Sequence, residues 1–189
     1  MNLCREIKLH PNAEDFLFEN FATLRRIFSD VLGQLEIDYI SIGLVNEAGE
    51  IFFLSSSPSI EKNLIEKDLW GYDYIYQPHF VYQSELTLWS EISPTAYHEP
   101  LKRYKQQHQN LIDGVSIPID YGVYRAILSF GFKESSSLSK IRFNKCEKLL
   151  AMGQFCLNRI SKMITFPDQK KNGIQKPKLT LIINRSRPL

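Results

Sequence analysis

Apolar and polar positions alternate through the stretch from Gly114 to Phe132. Val115, Ile117 and Ile119 are interleaved with Ser116, Pro118 and Asp120; beyond a short turn, Ala126, Leu128, Phe130 and Phe132 are interleaved with Arg125, Ile127, Ser129 and Gly131. A period of two predicts a strand pair with one buried face and a second face of different character. In the second strand that other face becomes small and polar toward its end. The same pattern recurs earlier: Ile40, Ile42 and Leu44 share one face of a strand over 39–45, with Ser41 and Gly43 on the other. Asn46-Glu-Ala-Gly49 is a turn signal, and 51–55 is its return strand.

Periods of three to four surround these strands. Phe21, Leu24, Phe28, Val31, Leu32 and Leu35 predict a helix over about 12–35, with Gly33 weakening its end. A charged, weakly amphipathic segment over 60–69 reads as a second helix. It runs into a dense aromatic stretch, Trp70 to Tyr82, part of which is expected to form a strand leading into Leu86–Trp89. The polar segment 97–109 predicts an exposed helix. Apolar positions including Cys146, Leu149, Leu150, Gly153, Cys156, Leu157 and Ile160 predict a long helix over about 138–164, which Phe166-Pro167 ends. Hairpins imply antiparallel pairing, and helices must cover the sheet, so the class is α+β with an α-β-α sandwich in view. Small residues on a helix-covered sheet face have two meanings: close packing, or volume kept for a ligand. The second meaning is a sensory pocket.

Composition adds one asymmetry. The net charge of +2 divides into a tail over 165–189 of +5 and a body of −3. Such a body does not resemble a nucleic-acid surface. Cys4, Cys146 and Cys156 are too widely spaced for a zinc site or a redox pair, which fits a reducing, cytoplasmic setting. No apolar run reaches the length of a membrane span. No phosphate loop, nucleophile elbow or zinc-protease motif is present, and His10, His79, His98 and His108 lack metal-ligand spacing. No cofactor, metal or catalytic residue is assigned, and a binding module is expected in place of an enzyme.

Read together, YQPHFV (76–81), LTLWSEI (86–92) and DGVSIPIDYGVYRAILSFGF (113–132) resemble the autoinducer-binding domain of LuxR-type transcription regulators. The likeness runs over roughly 12–164. It implies an α-β-α sandwich with a mainly antiparallel central sheet, similar to GAF and PAS sensors, that holds an acyl-homoserine-lactone-like molecule between sheet and helices. By that resemblance Trp89 matches a tryptophan that walls the lactone ring, Gly114 a strand glycine, and Ser129 a hydroxyl that bonds the acyl amide. Gln77-Pro78 stands in the place of an Asp-Pro, and glutamine accepts a hydrogen bond without charge assistance. The family's first Trp–Tyr pair has two candidate matches: Trp70 with Tyr74, or, counting from Ser57-Pro58, Glu61 with Ile65.

The resemblance implies a sensory domain over 1–164, then a basic linker and remnant of a missing DNA-binding domain over 165–189. Lys176-Pro-Lys-Leu-Thr180 resembles the family's linker, and residues 181–189 do not continue a helix-turn-helix pattern. The partners expected are a small acyl ligand and a second copy or a full-length regulator, with no membrane and no sequence-specific DNA binding by this chain alone. The alternative to ligand sensing is a ligandless dimerisation module that modulates an intact regulator through the 138–164 helix.

Overall fold

The computed structural model describes residues 6–83, 85–94, 96–134 and 146–172, excepting the side chains of 170–172. Strands β1 (Lys8–Leu9), β2 (Tyr39–Val45), β3 (Glu50–Ser55), β4 (Thr87–Leu88), β5 (Asp113–Tyr121) and β6 (Tyr124–Phe132) form one sheet in the order β1-β3-β2-β6-β5-β4. Among the described residues only β1 against β3 is parallel; the other pairings are antiparallel. Both predicted hairpins are present, and β2 of the first pairs with β6 of the second to join them.

One sheet face carries Ile40, Ile42, Leu44, Phe52, Leu54, Val115, Leu128 and Phe130. Against it lie helices α2 (Phe21–Ser29) and α6 (Cys146–Met163), contributing Leu24, Ile27, Phe28, Leu149, Cys156, Leu157 and Ile160. This is the larger core, and each such side chain taken from water contributes about 1.5–3 kcal/mol. The burial pushes the Cys156 thiol up to about 12, so it packs as a small apolar group. Packing continues past residue 164. Phe166 is buried against Phe52 and Tyr124, and the Tyr124 hydroxyl donates to both oxygens of Asp168 at 2.9 Å.

The opposite face is covered by α3 (Pro58–Glu66), α4 (Pro78–Gln83), α5 (His98–Lys105) and the single 3-10 turns Trp70–Tyr72 and Tyr74–Tyr76. The layering is therefore α-β-α.

Three expectations require correction. The single helix over 12–35 is broken at Asn20 into α1 (Ala13–Glu19) and α2, because the two halves pack differently. Phe16 of α1 enters the larger core while Leu17 enters the opposite one, so α1 straddles the sheet edge; α2 then crosses one face. Gly33, with φ of +83°, turns the chain after α2. The aromatic stretch supplies no strand of its own. Tyr76 of a 3-10 turn and Phe80 are buried on the face opposite the larger core, Pro78 starts a helix, and only Thr87–Leu88 pairs. The segment 97–109 divides into α5 and a 3-10 turn Gln107–Gln109, and its Lys105 is buried, not exposed. The two-residue β1 gives no alternation to read. The beginning of the long helix before Cys146 and the tail from residue 173 lie outside the described residues.

Candidate functional site

Register places four serines side by side across the sheet. Ser55 pairs with Ser41, Ser41 with Ser129, and Ser129 with Ser116. All four lie on the face beneath α3 to α5, and all are buried. The Trp89 indole N–H donates to Ser116 Oγ at 2.9 Å, and Ser116 Oγ shares a hydrogen bond with Ser129 Oγ at 2.8 Å. Trp89 is held by its own turn: Asp113 Oδ1 accepts from the backbone N–H groups of Ser90 at 3.0 Å and Gly114 at 2.7 Å.

At the other end of the row stands Glu61, buried on α3. Its Oε1 accepts the Tyr39 hydroxyl. Burial raises the Glu61 carboxyl above the ordinary value, against the lowering effect of the Tyr39, Ser55 and Ser41 hydroxyls. Burial, then the nearby Glu61, holds the Tyr39 phenol well above its usual range, so Tyr39 is the donor in this pair. Tyr76 is raised likewise by burial, then by Asp73 and Glu61. Among the described residues Glu61 Oε2 and Ser41 Oγ have no hydrogen-bond partner.

A second polar centre lies beside Trp89. Lys105 Nζ donates to Asp73 Oδ2 at 2.6 Å and stands 4.4 Å from the centroid of the Trp89 ring. Trp89, Asp73, Lys105, Tyr74, Tyr72 and His98 are among the residues lining a cavity of about 60 Å³.

The small residues do not leave empty space above the sheet, which corrects the reading of them as pocket volume. A Cβ on Gly114 would lie 2.6 Å from Trp89 ring atoms, one on Gly43 3.2 Å from Tyr76, and one on Gly131 2.8 Å from Leu111. Close packing is the realised meaning, and the packing partners are mainly aromatic rings, not helix backbone.

Of the residues singled out in the sequence, Trp89, Gly114 and Ser129 meet in one network. Tyr74 shares the cavity with Trp89. Trp70 is half-buried and packs against both apolar clusters on this face. Gln77 donates to the Gly71 carbonyl, so it is committed to its own loop. Of the other match, Glu61 accepts the Tyr39 hydroxyl outside that network, whereas Ile65 packs half-buried among apolar residues. Alternation had marked Ser41 and Ser116 as lying off the apolar face. Nothing local marks Lys105 and Asp73, which are brought together from separate segments. Among the described residues no group of His, Cys, Asp and Glu side chains could hold a metal ion, and no helix is long and apolar enough to cross a membrane.

The helix-flanked, mainly antiparallel sheet has the fold of LuxR-type autoinducer-binding domains. No protein-family model matches the sequence, and no curated protein does. Solved structures match in fold. SdiA of Escherichia coli aligns with a TM-score of 0.54 at 17% identity, covering 81% of this chain and 69% of that one. SdiA in complex with octanoyl-rac-glycerol aligns at 0.52 and 18%, covering 79% and 64%, so this chain spans about two thirds of that regulator's length. CepR2 of Burkholderia cenocepacia, an N-acylhomoserine-lactone-dependent LuxR family transcription factor, aligns at 0.55 and 14%, covering 79% and 92%.

Proposed function

We propose that this chain is a ligand-sensing domain of LuxR type that takes a small acyl molecule between the sheet and the helices α3 to α5. The observation that supports it is the buried serine row ending in Trp89 on one side and Glu61 on the other. Apolar side chains would stabilise a purely structural core at that place, while hydroxyls and a carboxyl carry a desolvation cost. Polar groups on an otherwise apolar wall are what orients a ligand. The likeness to SdiA and CepR2 gives the same reading. A cavity of about 60 Å³ holds a few waters. Acyl ligands need about 300 Å³ or more, so binding displaces the rings of Trp89, Tyr39 and Tyr76 from the glycines they cover.

Thermal-shift measurements with hexanoyl to dodecanoyl homoserine lactones and with 1-octanoyl-rac-glycerol test this. A rise in Tm with a change in tryptophan fluorescence is expected. Unchanged Tm and fluorescence with every compound would overturn it.

A ligandless dimerisation module is the second reading, favoured by Phe155 and Met163, which are exposed on α6. Self-association, or association with a full-length regulator, that is lost on Phe155→Glu and indifferent to acyl compounds would select it. Sedimentation measures this directly.

A further inference from the structure

Glu61 Oε2 and Ser41 Oγ are two polar atoms sealed inside the protein without a hydrogen-bond partner among the described residues. Glu61 is 2% exposed and Ser41 is fully buried. An orphaned buried donor or acceptor is costly, and natural interiors rarely keep one without water, ion or ligand. Here two occur together. Ser41 is among the groups that bear on the Glu61 carboxyl, so both atoms address one place. We propose, building on the sensory reading above, that this place receives an alcohol hydroxyl of the ligand, and that the chain selects hydroxylated acyl compounds over acyl compounds without a free hydroxyl.

The choice of a hydroxyl follows from what the two atoms need. A serine hydroxyl donates one hydrogen bond and accepts others, while a carboxyl oxygen accepts when ionised and donates when protonated. A ligand hydroxyl donates and accepts at once, so it satisfies both atoms in either state of Glu61. An ester or lactone oxygen only accepts, which leaves an ionised Glu61 Oε2 unpaired. An amide N–H only donates, which leaves the Ser41 hydroxyl proton unpaired. The groups facing the carboxyl, Tyr39, Ser55 and Ser41, are neutral hydroxyls, so the surroundings are those of an alcohol network. The next row of the same face, Phe53, Gly43 and Ile127, is apolar and suits the chain attached to such a headgroup.

Calorimetric titration of the full chain with 1-octanoyl-rac-glycerol, methyl octanoate and N-octanoyl-homoserine lactone tests the assignment. The acylglycerol is expected to bind about tenfold more tightly than methyl octanoate, the worth of one satisfied buried group. Ser41→Ala is expected to weaken the acylglycerol about tenfold and leave methyl octanoate unchanged. Equal binding of all three compounds, or an acylglycerol affinity indifferent to Ser41→Ala, would overturn the hydroxyl site while leaving the sensory reading intact. Failure of every compound to bind would remove both.

Discussion

The indole of Trp89 is seated on the backbone of Gly114 so closely that a Cβ at that position would fall 2.6 Å from Cδ2, Cε2 and Cε3 of the ring. Only hydrogen fits beneath the tryptophan. That contact, with the bond from Nε1 to Ser116, fixes where the ring stands above the sheet.

Gly114→Ala is therefore expected to push Trp89 outward and break its bond to Ser116. The cost is that of overpacking, about 1–3 kcal/mol. Urea denaturation monitors the stability, and tryptophan emission, shifting red, monitors the ring.

Lys105 and Asp73 form a buried pair whose side chains are 9% and 5% exposed. Lys105→Met strands the Asp73 carboxylate and is expected to cost about 3–5 kcal/mol. Adding Asp73→Leu to Lys105→Met is expected to recover most of the loss, because no uncompensated charge then remains. A double-mutant cycle by chemical denaturation reads the coupling. Equal instability of the single and double variants would contradict it.

The pH dependence originates in Glu61. Its folded carboxyl titrates above the ordinary value of 4.5 because burial disfavours the charged form. In the window between the two values the folded state holds the proton more tightly than the unfolded state. Stability from this group is thus fully present below 4.5 and falls as pH rises through the folded value. Glu61→Gln is expected to abolish that decline, so its stability gains on the parent toward neutral pH. Denaturation curves for both proteins across the acidic to neutral range give the comparison.

Ser41 and Ser116 stand in one row yet are expected to respond oppositely to alanine. Ser116→Ala orphans the Trp89 N–H and the Ser129 hydroxyl and costs about 1–3 kcal/mol. Ser41→Ala removes a hydroxyl that has no hydrogen-bond partner among the described residues and is expected to be neutral or stabilising, by up to about 1 kcal/mol, in the ligand-free protein. Thermal denaturation of the two variants decides it.

Strand alternation made both hairpins legible, because side chains on a pleated strand must point to opposite faces and only one face here is uniformly apolar. It also separated Ser41, Ser116 and Ser129 from the larger core before any pairing was known. The helix over 12–35 was legible as apolar spacing but not as two elements, since its break at Asn20 answers to the sheet edge that Phe16 and Leu17 straddle. Trp89, Gly114, Ser129 and Gln77 were named together through their resemblance to known domains; tertiary packing gathers the first three and puts the Gln77 amide on the Gly71 carbonyl.

Residue order by itself determined which faces are apolar, which segments pair locally, and that small residues gather on one side of the central strands. The tertiary structure alone decided what stands over those small residues, and it placed rings there. It alone aligned four serines into one row and brought Lys105 to Asp73. The physical reason is that periodicity expresses the direction of a side chain from its own backbone. Whether that direction ends at a ring, a carboxyl or a void depends on strand register and on segments far away along the chain.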